Sequence, residues 1–168
     1  VTNTDNKYIY DANLVCENYM DVDGFNNITN SNFNDATTDW SAVDSVISVS
    51  DNILLNTGNG GNNLPVTSQY SDLTAVTGHK VYLYTRARIT TSNFVQMTII
   101  FSSSSWNWNE IAFNYNSNQN EWYNISAITT IGSEYSGKIS ILIAHGYADS
   151  ATANGKMMEI DGNVGTYI

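Results

Sequence analysis

Four segments between residues 80 and 131 decide the fold: KVYLYTRARI (80–89), FVQMTIIF (94–101), WNWNEIAFNYN (106–116) and EWYNISAITTI (121–131). Each is rich in β-branched and aromatic residues and about the length of a strand. Thr, Ser, Asn or Gln separates each from the next, so the stretch reads as an antiparallel meander. In the first segment Val81, Leu83, Thr85, Ala87 and Ile89 fall on one face, and Tyr82, Tyr84, Arg86 and Arg88 on the other. The second sets Val95, Met97, Ile99 and Phe101 as a core series against Gln96, Thr98 and Ile100. In the third, Ile111 and Phe113 share one parity, and Trp106, Trp108, Glu110 and Asn114 the other.

The same texture extends outward. KISILIA (138–144) turns Ile139, Ile141 and Ile143 inward, and KMMEID (156–161) closes the sheet before GNVG turns the chain out. Upstream, WSAVDSVISVS (40–50) and NILLNT (52–57) read as two strands or one bent hairpin, followed by the breaker GNGGNNLP. SQYSDLTAVTGHK (68–80) reads as a loop leading into the strand after Gly78. Residues 21–39 are dense in Asn, Asp and Thr and predict a long ordered loop, stapled by Phe25 and Phe33. Tyr8 and Tyr10 fall on one side of a short first strand, and 13–20 form another short apolar run. No segment sustains a helical apolar period. Nine to eleven short strands with turns between them predict an all-β fold, a jelly-roll β-sandwich of two antiparallel sheets.

The chain has 168 residues, enough for one domain with a real core, so 1–168 is read as a single domain. Its formal charge is −10 with only six Lys plus Arg, which disfavours nucleic acid and anionic membranes as partners. No apolar run approaches the ~20 residues of a membrane helix. The opening VTNTDNKYIYD lacks a charged start and an apolar middle, so no signal peptide is expected, and it reads as the edge of a module cut from a longer chain. Cys16 has no partner for a disulfide, and no Cys/His cluster suggests zinc. Asp21 and Asp23 in DVDG lack the later ligands of a calcium loop. No nucleophile elbow, zinc-protease motif or phosphate loop is present.

The order of landmarks resembles the β-sandwich carbohydrate-binding modules. Asn13-Leu14 with Asn18 opens it, and a loop leads to Trp40. A strand then runs from Gly78 through Tyr82 to Arg86 and Arg88, followed by Trp122, Ile125 and Ser126, and Ile160-Asp161 ends the series. The MMEIDGN ending and the VSDN segment look most like modules of tailed-phage baseplates, in evolved distal tail proteins or receptor-binding proteins that act on Gram-positive hosts. The resemblance implies a non-catalytic domain that binds cell-wall or capsular polysaccharide, joined to the rest of a phage tail protein in the virion. The alternatives are a module appended to a polysaccharide-degrading enzyme and a ligand-free spacer. No cofactor is expected. A structural calcium is implied only for enzyme-attached relatives, with Glu17 and Asp161 as its candidate ligands here, and the local pattern departs from theirs.

Sugar recognition needs flat rings for the C–H faces and paired donors and acceptors for the hydroxyls. WNWNE supplies both: Trp106 and Trp108 would stand about 7 Å apart along a strand, with Glu110 beside them. Either ring would equally serve as a cap on the core. Arg86 and Arg88 offer rigid donor forks to a sugar or an anionic polymer, or else pair with Glu110 or a neighbouring-strand Asp. Tyr82, Tyr84 and Gln96 complete the expected site. Trp40 and Trp122 read as packing residues, and His79 and His145 as packed or surface histidines.

Overall fold

The computed structural model describes residues 28–103, 108–114 and 118–167; for 72, 108–114 and 162–167 it describes the backbone path. The readings made for Tyr8, Tyr10, residues 13–20, Cys16, Glu17, Asp21, Asp23, Phe25 and Trp106 lie outside the described residues.

Ten strands are described: β1 (Ser41–Val43), β2 (Ser45–Ser50), β3 (Ile53–Gly58), β4 (Val66–Thr74), β5 (Lys80–Ile89), β6 (Phe94–Ser103), β7 (Trp108–Asn114), β8 (Tyr123–Thr130), β9 (Lys138–Tyr147) and β10 (Met157–Tyr167). They form two five-stranded sheets, with orders β1-β4-β9-β6-β7 and β2-β3-β10-β5-β8. Every pairing is antiparallel. The fold is the expected all-β sandwich of two antiparallel sheets, a jelly roll.

The inner faces meet as the alternation requires. Val81, Leu83, Ala87 and Ile89 of β5 face Met97, Ile99 and Phe101 of β6 and Ile139, Ile141 and Ile143 of β9, all fully buried. Each such side chain contributes roughly 1.5–3 kcal/mol by leaving water.

The 80–131 stretch is not a meander. β5 pairs with β8 and β10, whereas β6 pairs with β7 and β9 in the opposite sheet. An oily face is satisfied as well by the sheet across the core as by a neighbour in its own sheet, so alternation alone does not distinguish the two. The crossing after β5 is pinned at its start: Met157 N donates to the Thr91 hydroxyl at 2.9 Å and Thr90 N to the Met157 carbonyl at 3.2 Å.

Other expectations shift for local reasons. Val95 is 49% exposed because a bulge between Phe94 and Gln96 turns it out and lets Phe94 pack on the core. Residues 68–74 belong to β4 rather than a loop, and their inward polar groups are met: the Ser71 hydroxyl donates to the Ile139 carbonyl at 3.1 Å. β10 is the central strand of its sheet and runs on past a bulge at 162–164 to Tyr167 instead of turning out. Asp51 and Asn52, both left-handed, close the β2–β3 hairpin.

One helical turn, α1 (Ser150–Ala153), interrupts the all-strand pattern. Asp149 caps it by accepting from Thr152 N at 2.6 Å, which holds the Asp149 carboxyl below its ordinary value. Gly58 lets this turn lie against β3, since a Cβ there would collide with the Ala153 carbonyl.

Candidate functional site

The outer face of the first sheet carries a groove of about 490 Å³. Its floor comes from strands whose inward neighbours are core residues. Ser140 and Leu142 alternate with Ile139, Ile141 and Ile143 on β9, and Ser102 follows Phe101 on β6. β4 contributes Ser68, Gln69 and Tyr70, and β1 contributes Ser41 and Val43. Tyr70 is 47% exposed, a large ring left in solvent in the groove. Register places Tyr70 opposite Ser140, Ser140 opposite Ser102, and Ser102 opposite Trp108. Behind this row Val66, Ile100, Leu142 and Ala144 form a small buried apolar cluster on the same outer face, so Ile100 is covered although it lies off the core parity.

One wall of the groove is the loop at 28–40, the described part of the predicted long loop. Asn30 organises it. Its amide Nδ2 donates to the carbonyls of Asp35, Ala36 and Thr38 at 3.3, 3.0 and 3.0 Å, and its Oδ1 accepts from Asp35 N at 3.0 Å. Asn30, Phe33, Ala36 and Asp39 all have positive φ, a conformation Asn and Asp tolerate best. Phe33 is 1% exposed and packs on Trp40 with ring centroids 5.4 Å apart, while Trp40 Nε1 donates to the Asn30 carbonyl at 3.1 Å. Phe33 and Trp40 are thus the staple, and Trp40 is a packing residue as the sequence suggested.

The loop delivers Thr29 and Asp39 to the groove. The Thr29 hydroxyl lies 3.0 Å from the Asp39 carboxylate and 3.4 Å from the Gln69 Oε1, and Gln69 Nε2 donates to the Thr29 carbonyl at 2.9 Å. Ser140 Oγ donates to the Gln69 carbonyl at 3.2 Å and Ser102 Oγ to the Ser103 carbonyl at 3.5 Å. A ring beside a bed of hydroxyl and carboxamide oxygens suits a ligand with apolar faces and O–H rims.

The residues singled out from sequence divide between the two sheets. Tyr82, Tyr84, Arg86 and Arg88 lie on β5 in the second sheet; Gln96 lies on β6, and Trp108 and Glu110 on β7, in the first. They do not form one constellation. Gln96 runs over Gly146, where a Cβ would come within 2.9 Å of the Gln96 Cγ. Tyr82 and Tyr84 are buried, and Tyr84 Oη donates to Asn124 Oδ1 at 3.0 Å. Arg86 pairs with Asp161 at 2.7 Å and Arg88 with Glu159 at 2.6 Å. Both guanidinium carbons also stand over the Trp122 ring, 5.1 and 4.6 Å from its centroid. The neighbouring-strand acids of β10 are therefore their partners, while Glu110 sits in the opposite sheet.

Asp161, one of the two calcium candidates, gives a carboxylate oxygen to Arg86. Among the described residues no three His, Cys, Asp or Glu side chains gather, and Glu17, the other candidate, lies outside them. His145 is a core residue. It is fully buried, its Nδ1 is 2.8 Å from Tyr147 Oη, and its Nε2 is 3.4 Å from Asn56 Oδ1 across the sandwich. Burial pulls its pKa from 6.5 to about 3 and raises Tyr147 to about 12.

Sequence reasoning missed Tyr70, Gln69, Ser102, Ser140, Thr29 and Asp39. The available signal was parity: Ser68 and Tyr70 alternate along 66–70, and Lys138 and Ser140 alternate with isoleucines along 138–143.

No family model matches this sequence, and no curated protein is similar to it in sequence. Solved structures share its fold. The CBM22-2 xylan-binding domain of Paenibacillus barcinonensis Xyn10C is similar at a TM-score of 0.60 and 12% identity, over 81% of this chain and 96% of that one. An arabinose-bound α-L-arabinofuranosidase is similar at 0.58 and 11%, over 78% of this chain. The enzymatically active domain of tailspike protein 4 of bacteriophage CBA120 is similar at 0.58 and 12%, over 85% of this chain. The chain spans 23% of the arabinofuranosidase and 21% of the tailspike, but nearly all of the xylan-binding domain. At these identities the likeness is one of fold: the jelly-roll sandwich of carbohydrate-binding modules.

Proposed function

We propose that this domain binds polysaccharide without acting on it, and that it serves a phage tail protein by attaching the virion to the cell-wall or capsular polysaccharide of a Gram-positive host. The observation that carries the reading is the groove on the first sheet, where the exposed Tyr70 ring stands among the oxygens of Ser102, Ser140, Thr29 and Gln69. The ring would stack on a sugar face and the oxygens would receive its hydroxyls. The edge strand β7 runs beside this row, with Trp108 the register partner of Ser102 and Glu110 that of Ile100. Gln96 stands beside Gly146, six residues along β6 from Ser102, and is not among the residues that line the groove. A site without catalysis is favoured because Asp39 is the one acid that lines the groove among the described residues, whereas glycoside hydrolysis uses two facing carboxyls. A net charge of −10 argues against nucleic acid and anionic membrane as partners. A single shallow site of this kind is weak, and several copies on one tail would raise the hold by avidity.

The phage setting is supported by the MMEIDGN and VSDN resemblance and by the shared fold of the tailspike. The second reading, a module beside a polysaccharide-degrading enzyme, is favoured by the match to nearly the whole of a xylan-binding domain. Labelling of Gram-positive cells by the tagged domain, competed by their extracted polysaccharide, is the outcome expected of the first. Retention on insoluble plant glucan with no cell labelling would replace it by the second. Binding to neither would leave a spacer.

A further inference from the structure

We propose that Asn59 is a site of spontaneous modification, converted by water to aspartate and isoaspartate through a cyclic imide, while Asn154 beside it is spared. The chain holds two Asn-Gly pairs, Asn59-Gly60 and Asn154-Gly155. Glycine after asparagine leaves the following amide nitrogen unshielded by a side chain, so both pairs have the same intrinsic chemistry. The fold brings them together: a Cβ on Gly60 would stand 3.3 Å from the Asn154 Cγ. It then treats them differently.

The nucleophile is the backbone nitrogen of the glycine. Gly155 N is spent, donating to the Gly58 carbonyl at 2.9 Å. Freeing it would undo the turn that joins α1 to β10, where Gly58 N also donates to the Lys156 carbonyl at 2.9 Å. Gly60 N has no hydrogen-bond partner among the described residues. Asn59 is exposed, and its Oδ1 accepts from Gly61 N at 2.9 Å. That bond folds the carboxamide over its own following backbone and draws charge off Cγ, the atom to be attacked. Gly60 N, on losing its proton to solvent base, bonds to Asn59 Cγ. The Cγ–Nδ2 bond breaks, and the nitrogen takes up a proton and leaves as ammonia. Water then opens the imide at either carbonyl, giving aspartate or isoaspartate.

Two crossings between the sheets meet at this site. Asp44 lies between β1 of the first sheet and β2 of the second, and residues 59–65 lead from β3 of the second to β4 of the first. Asn59 N donates to the Asp44 carbonyl at 3.1 Å, and the Asp44 carboxylate and Asn59 carboxamide both lie against Gly61. The reaction sets a second carboxylate beside the first and, in isoaspartate, adds one carbon to the main chain of this seam.

The test involves no polysaccharide, so its outcome is separate from the binding reading. The folded domain is aged in mildly alkaline buffer and followed by anion exchange and peptide mass mapping. An acidic species should accumulate, with conversion at Asn59 at least about tenfold faster than at Asn154. In urea the two rates should converge to within about twofold, since the contrast belongs to the fold. Asn59→Ser keeps an oxygen acceptor for Gly61 N but has no carboxamide to lose, and should remove the acidic species. Conversion at Asn59 no faster than at Asn154, including none at either, would overturn the proposal. So would a contrast unchanged in urea, or the same acidic species at the parent rate in Asn59→Ser.

Discussion

The outer face of the second sheet holds Arg86, Arg88 and Trp122 in a closed set: each cation has a carboxylate at 2.6–2.7 Å and shares one indole ring. The outer face of the first sheet holds Tyr70 and a bed of serine and threonine oxygens around an open concavity. Both faces combine aromatics with polar groups, which is the composition expected of a sugar site. They differ in what remains to be satisfied. On the second sheet the charges answer one another across the register Glu159–Arg88 and Asp161–Arg86. On the first, an exposed ring and several hydroxyls border an open groove. Residue type marks a candidate, but the state of its hydrogen bonds separates a structural ladder from a binding surface.

The largest expected effect that would break this contrast is at Tyr70. Tyr70→Ala should weaken polysaccharide retention by about ten- to hundredfold, the worth of one stacking ring. Because the ring is half exposed, the unfolding midpoint should change little. A variant that still binds as the parent does would move the site off the first sheet.

Acid tests the interior that joins the two faces. His145 of the first sheet meets Asn56 of the second, and its folded pKa is about 3 against 6.5. The unfolded chain therefore gains a proton near pH 6.5 that the folded chain refuses. The stability linked to this group is whole above 6.5 and is lost as pH falls toward 3. By pH 5 the loss should be about 2 kcal/mol, read as a lower urea midpoint than at pH 7.5. In His145→Met that difference should largely vanish, though Tyr147 then loses its partner and the variant starts from a lower baseline at both pH values.

On the second sheet, Trp122→Leu should lower stability by about 1–2 kcal/mol through lost stacking under the two guanidiniums. Its polysaccharide retention should match the parent. Smallest of all, Arg86→Met should change stability by less than about 1 kcal/mol, since the Arg86–Asp161 pair is partly exposed to solvent. Loss of binding in either variant would assign a binding role to the closed face and erase the contrast.

Much of the sandwich was legible in the sequence. The alternation of β5 and of the three inward isoleucines of β9 gave the core directly, because burial on one face imposes a period of two. The pairing of strands was not legible. β5 and β6 are consecutive and equally oily, yet they join different sheets, and only long-range register tells which. That ambiguity merged Arg86 and Arg88 with Trp108 and Glu110 into one imagined surface. β4 was missed because its inward positions are Thr67, Gln69 and Ser71, whose hydrogen bonds to distant residues substitute for apolar burial. Tyr70 was missed with it. The loop wall was foreseen as an ordered loop, but Asn30 as its organiser was not, since its four bonds depend on a backbone path that no local pattern spells out.

The central claim is that the first sheet binds and the second does not. An NMR titration of isotope-labelled domain with extracted wall polysaccharide tests it most directly. The account predicts shifts and line broadening concentrated at Ser68, Gln69, Tyr70, Ser102 and Ser140, with Arg86, Arg88, Trp122 and Glu159 unmoved. Perturbation centred on the arginine–tryptophan face, with the groove residues unchanged, would contradict it.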